Sequence, residues 1–271
     1  MEISEIHDLL HTDRKVYKTH LADLNDLLDD GIPEDSLTVV TSGVSVGKSM
    51  LAQNLFTSVY LQNTDKKALA FTLESSKYDF LRRVFSSITA IKQNEIFDKI
   101  KSNYDLEKSL ELLFNRLLLS TKSNICYIRD LLENSDNEYS CILIDSLYLV
   151  DDLYSNSQKL NEFLGFLKQY ALNTKTPIIV TVPSRYSRYN SSENVNDYLG
   201  RSIIRNSNII LHMFREETKD YGIIKIAKNT YGSVGEFSFN FFPEYAYVSD
   251  YLEEGNITPF NDLNKYAHPA D

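Results

Sequence analysis

Residues Thr41 to Leu55 read TSGVSVGKSMLAQNL, a small-residue turn that closes on Gly-Lys-Ser and runs directly into an apolar-periodic segment. Just before it, Ser36 to Val40 (SLTVV) is β-branched and reads as a buried strand; after it, Met50, Leu51, Asn54, Leu55 and Ser58 recur at helical spacing. A strand that turns through a glycine-bearing loop into a helix presents free backbone N–H groups and the positive end of a helix dipole at one point, which is an anion site. The pattern GxxxxGK[ST] is met at Gly47, Lys48 and Ser49, while Ser42 stands where its first glycine belongs. Two readings are open. In one, Ser42, Gly43, Val44, Ser45, Val46, Gly47, Lys48 and Ser49 form a phosphate cradle, with Lys48 reaching the terminal phosphates and Ser49 ligating Mg²⁺. In the other, the helix merely begins with Lys-Ser.

The rest of the chain supplies the frame for such a loop. A helical stripe at Leu21, Leu24, Leu27 and Leu28 ends at Gly31. After the loop helix come a strand at Lys67 to Glu74 (KALAFTLE), a helix through KYDFLRRVFSSI, and helical patterns from Gln93 to Phe114. RLLLST then reads as a strand, ICYIRDLLEN as a helix, CILIDS (Cys141 to Ser146) as a fully buried strand, and Gln158 to Leu172 as a helix. PIIVTVP, NIILHMF, GIIKIAK and EFSFNFF follow as strands. Strands alternating with helices, then strands in succession, predict an α/β fold with a mainly parallel sheet extended by antiparallel strands at one edge.

At 271 residues, 42% hydrophobic and 24% charged, the chain has the composition of a globular α/β domain. No run reaches the length of a membrane span, and the acidic, amphipathic start MEISEIHDLLHTDRK is neither a secretory signal nor a transit peptide, so a cytoplasmic protein is expected. Cys126 and Cys141 lie in apolar contexts and read as reduced core thiols; the histidines have no zinc-like spacing. A net charge of −10 argues against a protein that coats duplex nucleic acid, but leaves room for a local basic channel.

Two carboxylates end buried strands. Asp145 closes CILIDS, where open α/β sheets place ligand-binding groups, and an Asp there can hold the water shell of Mg²⁺ opposite the cradle. Glu74 closes LAFTLE in the same way. It either polarises an attacking water beside a terminal phosphate or simply sits against the dipole of the following helix; both account for a Glu at that position.

SGVSVGKS, FTLESS, CILIDSLYLV, IIVTVPSRYSR, NSNIILHMFREE, KIAKNTYG and FFPEYAYV occur in the order and spacing of the C-terminal motor domain of DnaB-type replicative helicases, phage members included, and the likeness runs from about Leu21 to Val248. The resemblance implies a RecA-like P-loop fold of superfamily 4, homo-hexameric rings, ATP bound between neighbouring subunits, Mg²⁺, and single-stranded DNA threaded through the centre, with a primase or helicase loader as further partners. It makes Lys48 and Ser49 the phosphate and Mg²⁺ contacts, Glu74 the catalytic glutamate and Asp145 the Mg²⁺-side carboxylate. Arg83 matches an arginine of the family whose role stays open. On this resemblance residues 21–250 become the ATPase domain, 1–20 a helical extension (Ile3 to Leu10) in place of the linker that docks on a neighbour, and 251–271 a polar tail, with no counterpart expected for the regulatory N-terminal domain of the bacterial members.

Three departures from the family stand out. Its KxRxG motif gives a lysine and an arginine finger to the next subunit's γ-phosphate, and here it reads KNTYG: Lys228 remains and Thr230 replaces the arginine. A finger can be worth about 10³ to 10⁵ in turnover. The glutamine that senses nucleotide is Arg185, which either substitutes for the finger or contacts DNA; and Tyr148 stands where a glutamine usually follows the Walker-B aspartate. On the DNA side, SRYSRYN interleaves Arg185 and Arg188 with Tyr186 and Tyr189, suiting phosphate contact and base stacking, and YLGRSIIRN adds Arg201 and Arg205. The leading expectation is an ATP-dependent helicase motor in DNA replication, with Lys48 and Lys228 neutralising charge as water oriented by Glu74 attacks in line. The alternative is a catalytically weakened ATP-binding paralogue that regulates such a motor. A RecA-like recombinase would need filament-forming elements that the sequence does not show.

Overall fold

The computed structural model describes residues 14–63, 65–134, 138–184 and 199–252. The expected helix at Ile3 to Leu10, the segment carrying Arg185, Tyr186, Arg188 and Tyr189, and the tail beyond residue 252 lie outside the described residues. In chain order the elements are β1 (Val16–Tyr17), α1 (Ala22–Leu27), β2 (Ile32–Pro33), β3 (Leu37–Ser42), α2 (Lys48–Leu61), β4 (Lys67–Thr72), α3 (Lys77–Thr89), α4 (Ile96–Ser102) and α5 (Tyr104–Phe114). There follow β5 (Leu117–Ser120), α6 (Ile125–Glu133), β6 (Tyr139–Asp145), α7 (Ser157–Thr174), β7 (Ile178–Pro183), α8 (Arg201–Asn206), β8 (Ile209–Phe214), β9 (Tyr221–Asn229), β10 (Gly235–Phe242) and β11 (Tyr247–Asp250).

Nine strands form one sheet in the order β11-β10-β9-β8-β3-β7-β6-β4-β5. From β8 to β5 the pairs are parallel; β8, β9 and β10 pair antiparallel, as the sequence predicts, and β11, which is not among the strands expected from sequence, adds a further antiparallel strand. β3, β6 and β8 are buried at every position because helices cover both faces, so no period-2 alternation survives in them. One face packs Val40, Cys141, Leu143, Ile179 and Leu211 against α1, α2, α3 and α5. The other packs Val39, Ile142, Ile144 and Val180 against α6, α7 and α8.

Helix starts follow local chemistry. Ser76, Asn103, Asn124 and Asn156 each accept from a backbone N–H of the first turn, the capping that short polar side chains provide. Asn103 also splits the Gln93 to Phe114 pattern into α4 and α5, a break that helical spacing alone conceals. Gly31 is required by its backbone: its φ is +139° and a Cβ there would stand 2.2 Å from the Tyr17 carbonyl oxygen, blocking the small β1–β2 ladder. Cys141 is buried, as expected of a core thiol. Cys126 is exposed, against expectation, because α6 turns Ile128 and Leu132 inward and residue 126 falls on the opposite side of the helix.

α2 is buried nearly all round, and its Thr57 and Ser58 hydroxyls donate to carbonyls one turn back in the helix. Asn54 accepts from the Val248 amide at 3.0 Å and donates to the Ala246 carbonyl at 3.1 Å, tying the helix to β11. Among the described residues no helix is long and apolar enough to cross a membrane.

Candidate nucleotide site

β3 ends on Ser42 and the chain turns into α2 over a few residues, at the C-terminal edge of the parallel strands. Ser42 is fully buried and its backbone is not left-handed, so the turn makes no demand for glycine there. Its hydroxyl donates to the Gly43 carbonyl oxygen at 2.8 Å. The unusual backbone lies later, at Ser45 (φ 62°) and Gly47 (φ 120°). Gly47 cannot be replaced cheaply, since a Cβ would come within 2.6 Å of the Phe241 ring. Neither the Val46 nor the Gly47 amide has an acceptor among the described residues, and the first amides of α2 are free by helix geometry.

Two strand ends bring carboxylates to this loop, and a third strand brings a hydroxyl. Lys48 Nζ stands 3.5 Å from Glu74 Oε2 and 4.0 Å from Asp145 Oδ1. Ser49 Oγ donates to Asp145 Oδ1 at 3.0 Å, and Thr181 Oγ1, from β7, donates to the same oxygen at 2.6 Å. The Asp145 backbone carbonyl accepts from the amides of Leu73 (2.7 Å) and Glu74 (3.1 Å), so one residue fixes both the buried carboxylate and the turn that presents Glu74. The side chains differ sharply in exposure, 2% for Asp145 and 53% for Glu74, so the first is held and the second faces open cleft. Lys48, Ser49 and Glu74 border a cavity of about 760 Å³ that is also lined by Arg82, Arg83, Gln93, Tyr148 and Pro243. Gln93 is fastened there by its side-chain amide to the Pro243 carbonyl at 2.6 Å. Arg82 pairs with Asp79 at 3.0 Å, whereas the Arg83 side chain makes no ion pair or hydrogen bond among the described residues.

Free amides, a lysine and a hydroxyl beside a buried carboxylate are a donor set for a polyphosphate and a hard cation that takes only one or two protein oxygens. The predicted Lys48, Ser49, Glu74 and Asp145 are thus brought together. Thr181 joins them, a residue to which the sequence assigned no role although it lies within IIVTVPSRYSR; its one signal is a hydroxyl in the middle of the aliphatic strand IIVTVP.

Lys228 lies elsewhere. Register aligns Ser42, Met213 and Ile224 at the edge nearest the loop, and Lys228 is four positions further down β9, roughly 13 Å towards the opposite edge. Its ammonium donates to the carbonyls of Ile204 and Ser207, both at 2.6 Å, closing the C-terminal end of α8; burial, then Lys168, lowers its pKa. Thr230 is also held within the chain, its amide donating to the Asn208 carbonyl at 3.1 Å. Arg201 and Arg205 are exposed, one turn apart on α8.

A sequence model of the DnaB-like helicase C-terminal domain matches residues 17–250. A direct comparison with curated protein sequences finds no match. Among solved structures, one described as an ATPase domain superposes with a TM-score of 0.71 at 17% identity, over 92% of this chain and 96% of that one. A DnaB-like replicative helicase, described with its interactions with primase, gives 0.72 at 17% identity over 92% of this chain, which spans 65% of that helicase's length. The RecA-like arrangement expected from sequence is therefore the arrangement found, and the chain belongs to the DnaB-like helicase C-terminal domain family.

Proposed function

We propose that this chain is the ATP-hydrolysing motor of a ring helicase that moves on single-stranded DNA during replication. Family membership supports a helicase and ATPase role in replication. The observation that carries the finer reading is the convergence of Lys48, Ser49, Glu74 and Asp145, with Lys48 within 4.0 Å of both carboxylates, at a loop of unpaired amides.

In this reading the amides from Gly43 to Ser49 and the Lys48 ammonium bind the phosphates of ATP. Ser49 and Asp145 would hold Mg²⁺, which supplies charge neutralisation on the phosphate oxygens. Glu74, on the open side of the cleft, orients a water for in-line attack and takes up its proton. Thr181 keeps the Asp145 carboxylate from turning away. Arg201 and Arg205, with Arg185, Tyr186, Arg188 and Tyr189, form the DNA-facing set, and Lys228 serves the cleft of a neighbouring copy in a homo-hexamer. A primase or a loader would be its partner at the fork.

One observation favours the weaker alternative, a nucleotide-binding regulatory subunit. Where the family carries a finger, Thr230 is short, uncharged and bonded to Asn208 of its own chain. Hydrolysis measured with and without single-stranded DNA separates the two. The motor reading expects DNA-stimulated turnover that Lys48→Ala reduces about 10²- to 10³-fold, the scale of losing one preorganised charge contact. Tight nucleotide binding with no stimulation would overturn it.

A further inference from the structure

The back of the phosphate loop is held by a residue that the motif does not contain. Arg215, just beyond β8, is 8% exposed. Its Nε donates to the Val46 carbonyl at 3.2 Å and one terminal nitrogen donates to the Ser45 carbonyl at 3.0 Å. The other terminal nitrogen reaches the carbonyls of Glu216, Glu217 and Lys219, at 3.3, 3.3 and 2.8 Å. The guanidinium lies 4.0 Å over the ring of Phe241, the same ring that packs against Gly47. Among the described residues it has no ion pair; burial lowers its pKa, and Asp220 and Glu217 act on it only through space.

In a trans peptide the C=O of one residue and the N–H of the next point in opposite directions. Fixing the Ser45 carbonyl therefore fixes the Val46 N–H, and fixing the Val46 carbonyl fixes the Gly47 N–H. These are the two amides that lack an acceptor among the described residues. The guanidinium thus sits behind the loop, turns its carbonyls backwards and leaves its amides facing forwards. It also leaves an unpaired positive charge under the site where negative charge would bind.

We propose that Arg215 is the positioning residue of the phosphate loop, presenting the Val46 and Gly47 amides to the β- and γ-phosphates of a nucleoside triphosphate. This rests on the reading of the cleft as an ATP site. A loop free to rotate these two peptides would still offer Lys48, but it would lose directed hydrogen bonds to the far phosphates. The effect falls on triphosphate over monophosphate, not on the rest of the nucleotide.

The test is calorimetric titration of the full chain with ATP and with AMP, in Mg²⁺, for wild type, Arg215→Met and Arg215→Lys, alongside melting curves without nucleotide. Arg215→Lys keeps the cation but can serve only one of the two loop carbonyls, and it guards against a methionine variant that fails to fold. The expected result is a fall in the ATP-to-AMP affinity ratio of about 10- to 100-fold for Arg215→Met, as for two misdirected bonds to a charged group, and a smaller fall for Arg215→Lys. AMP affinity should hold in both. An unchanged ratio in a folded variant, or equal losses for ATP and AMP, overturns the positioning role while leaving the ATP site intact. Failure of the wild-type chain to prefer ATP over AMP overturns both.

Discussion

At the C-terminal edge of the parallel strands Lys48, Ser49, Glu74 and Asp145 face one another across a cleft, whereas at the opposite edge Lys228 and Thr230 are bonded to their own chain. The first group is arranged for a ligand: among the described residues its side chains bond only to one another and to Thr181. The second has spent its donors on α8 and on Asn208. With roughly 13 Å of strand between the two levels, Lys228 has no route to the cleft of its own subunit. A motor built from this chain is therefore half prepared within each copy. In the proposed ring, Lys228 would first have to be released from its local hydrogen bonds, at a net cost of about 0.5–1.5 kcal/mol each, before acting on a neighbour.

The largest effect that would sharpen this contrast lies in the prepared half. Glu74→Gln removes the proton acceptor but keeps the shape and leaves Asp145, Ser49 and Lys48 in place, so turnover should fall about 10²- to 10⁴-fold while ATP affinity holds. Single-turnover hydrolysis beside equilibrium binding checks it. A parallel loss of binding would mean that Glu74 is a structural partner of Lys48 and that the cleft is less prepared than its geometry suggests.

The next effect probes the unprepared half. Mixed in equal amounts, Glu74→Gln and Lys228→Ala copies pair an intact cleft with an intact Lys228 at roughly a quarter of interfaces in a ring with random order. If Lys228 works across an interface, the mixture should recover about that share of wild-type turnover, although each variant alone is poor. No recovery would return Lys228 to its visible role as a cap for α8, and with it the idea of two complementary edges.

What the sequence reveals about these two edges differs for a physical reason. The loop from Ser42 to Ser49, the buried run before Asp145 and the alternation of strands with helices are local signals, and the structure reproduces each. Ser42 stands in place of glycine as the last residue of β3, where the backbone is not left-handed and makes no demand for glycine. Glu74 lies two residues beyond β4, carried by a bond to the Asp145 carbonyl that no local pattern encodes. Arg215 meets the loop from 169 positions away through backbone acceptors, which have no sequence identity to read. β11, at four residues, and α8, at six, are too short to show a period, although β11 completes the sheet and α8 carries Arg201, Arg205 and the Lys228 contact. Strand order, too, which sets β3 in the middle of the sheet, is a property of packing and not of any segment.

The smallest predicted effect tests whether the two halves unfold as one. His20 sits at their seam: Nε2 faces the Val248 carbonyl of β11 at 2.9 Å and Nδ1 faces Ser58 Oγ of α2 at 3.2 Å. The neutral ring with a proton on Nε2 satisfies the carbonyl, and burial lowers the ring's pKa from 6.5 to about 3. Between those values the unfolded chain binds a proton that the folded chain does not, so stability rises with pH. It is complete above the unfolded value and is lost as pH falls through 6.5 towards 3. At about pH 5.5 the loss should be roughly 1.4 kcal/mol, and His20→Gln, which can still donate to Val248, should remove that part of the slope. Burial of His212, lowered to about 4, contributes in the same direction and remains in the variant. Denaturant melts at neutral and mildly acid pH, followed by signals from both halves, provide the measurement. A single transition that shifts as a whole means that α2 and β11 are one cooperative unit through His20 and Asn54. Loss of the antiparallel strands ahead of the nucleotide cleft would mean that the two edges differ in stability as well as in chemistry, and that Arg215 and Phe241 leave the loop before the loop itself unfolds.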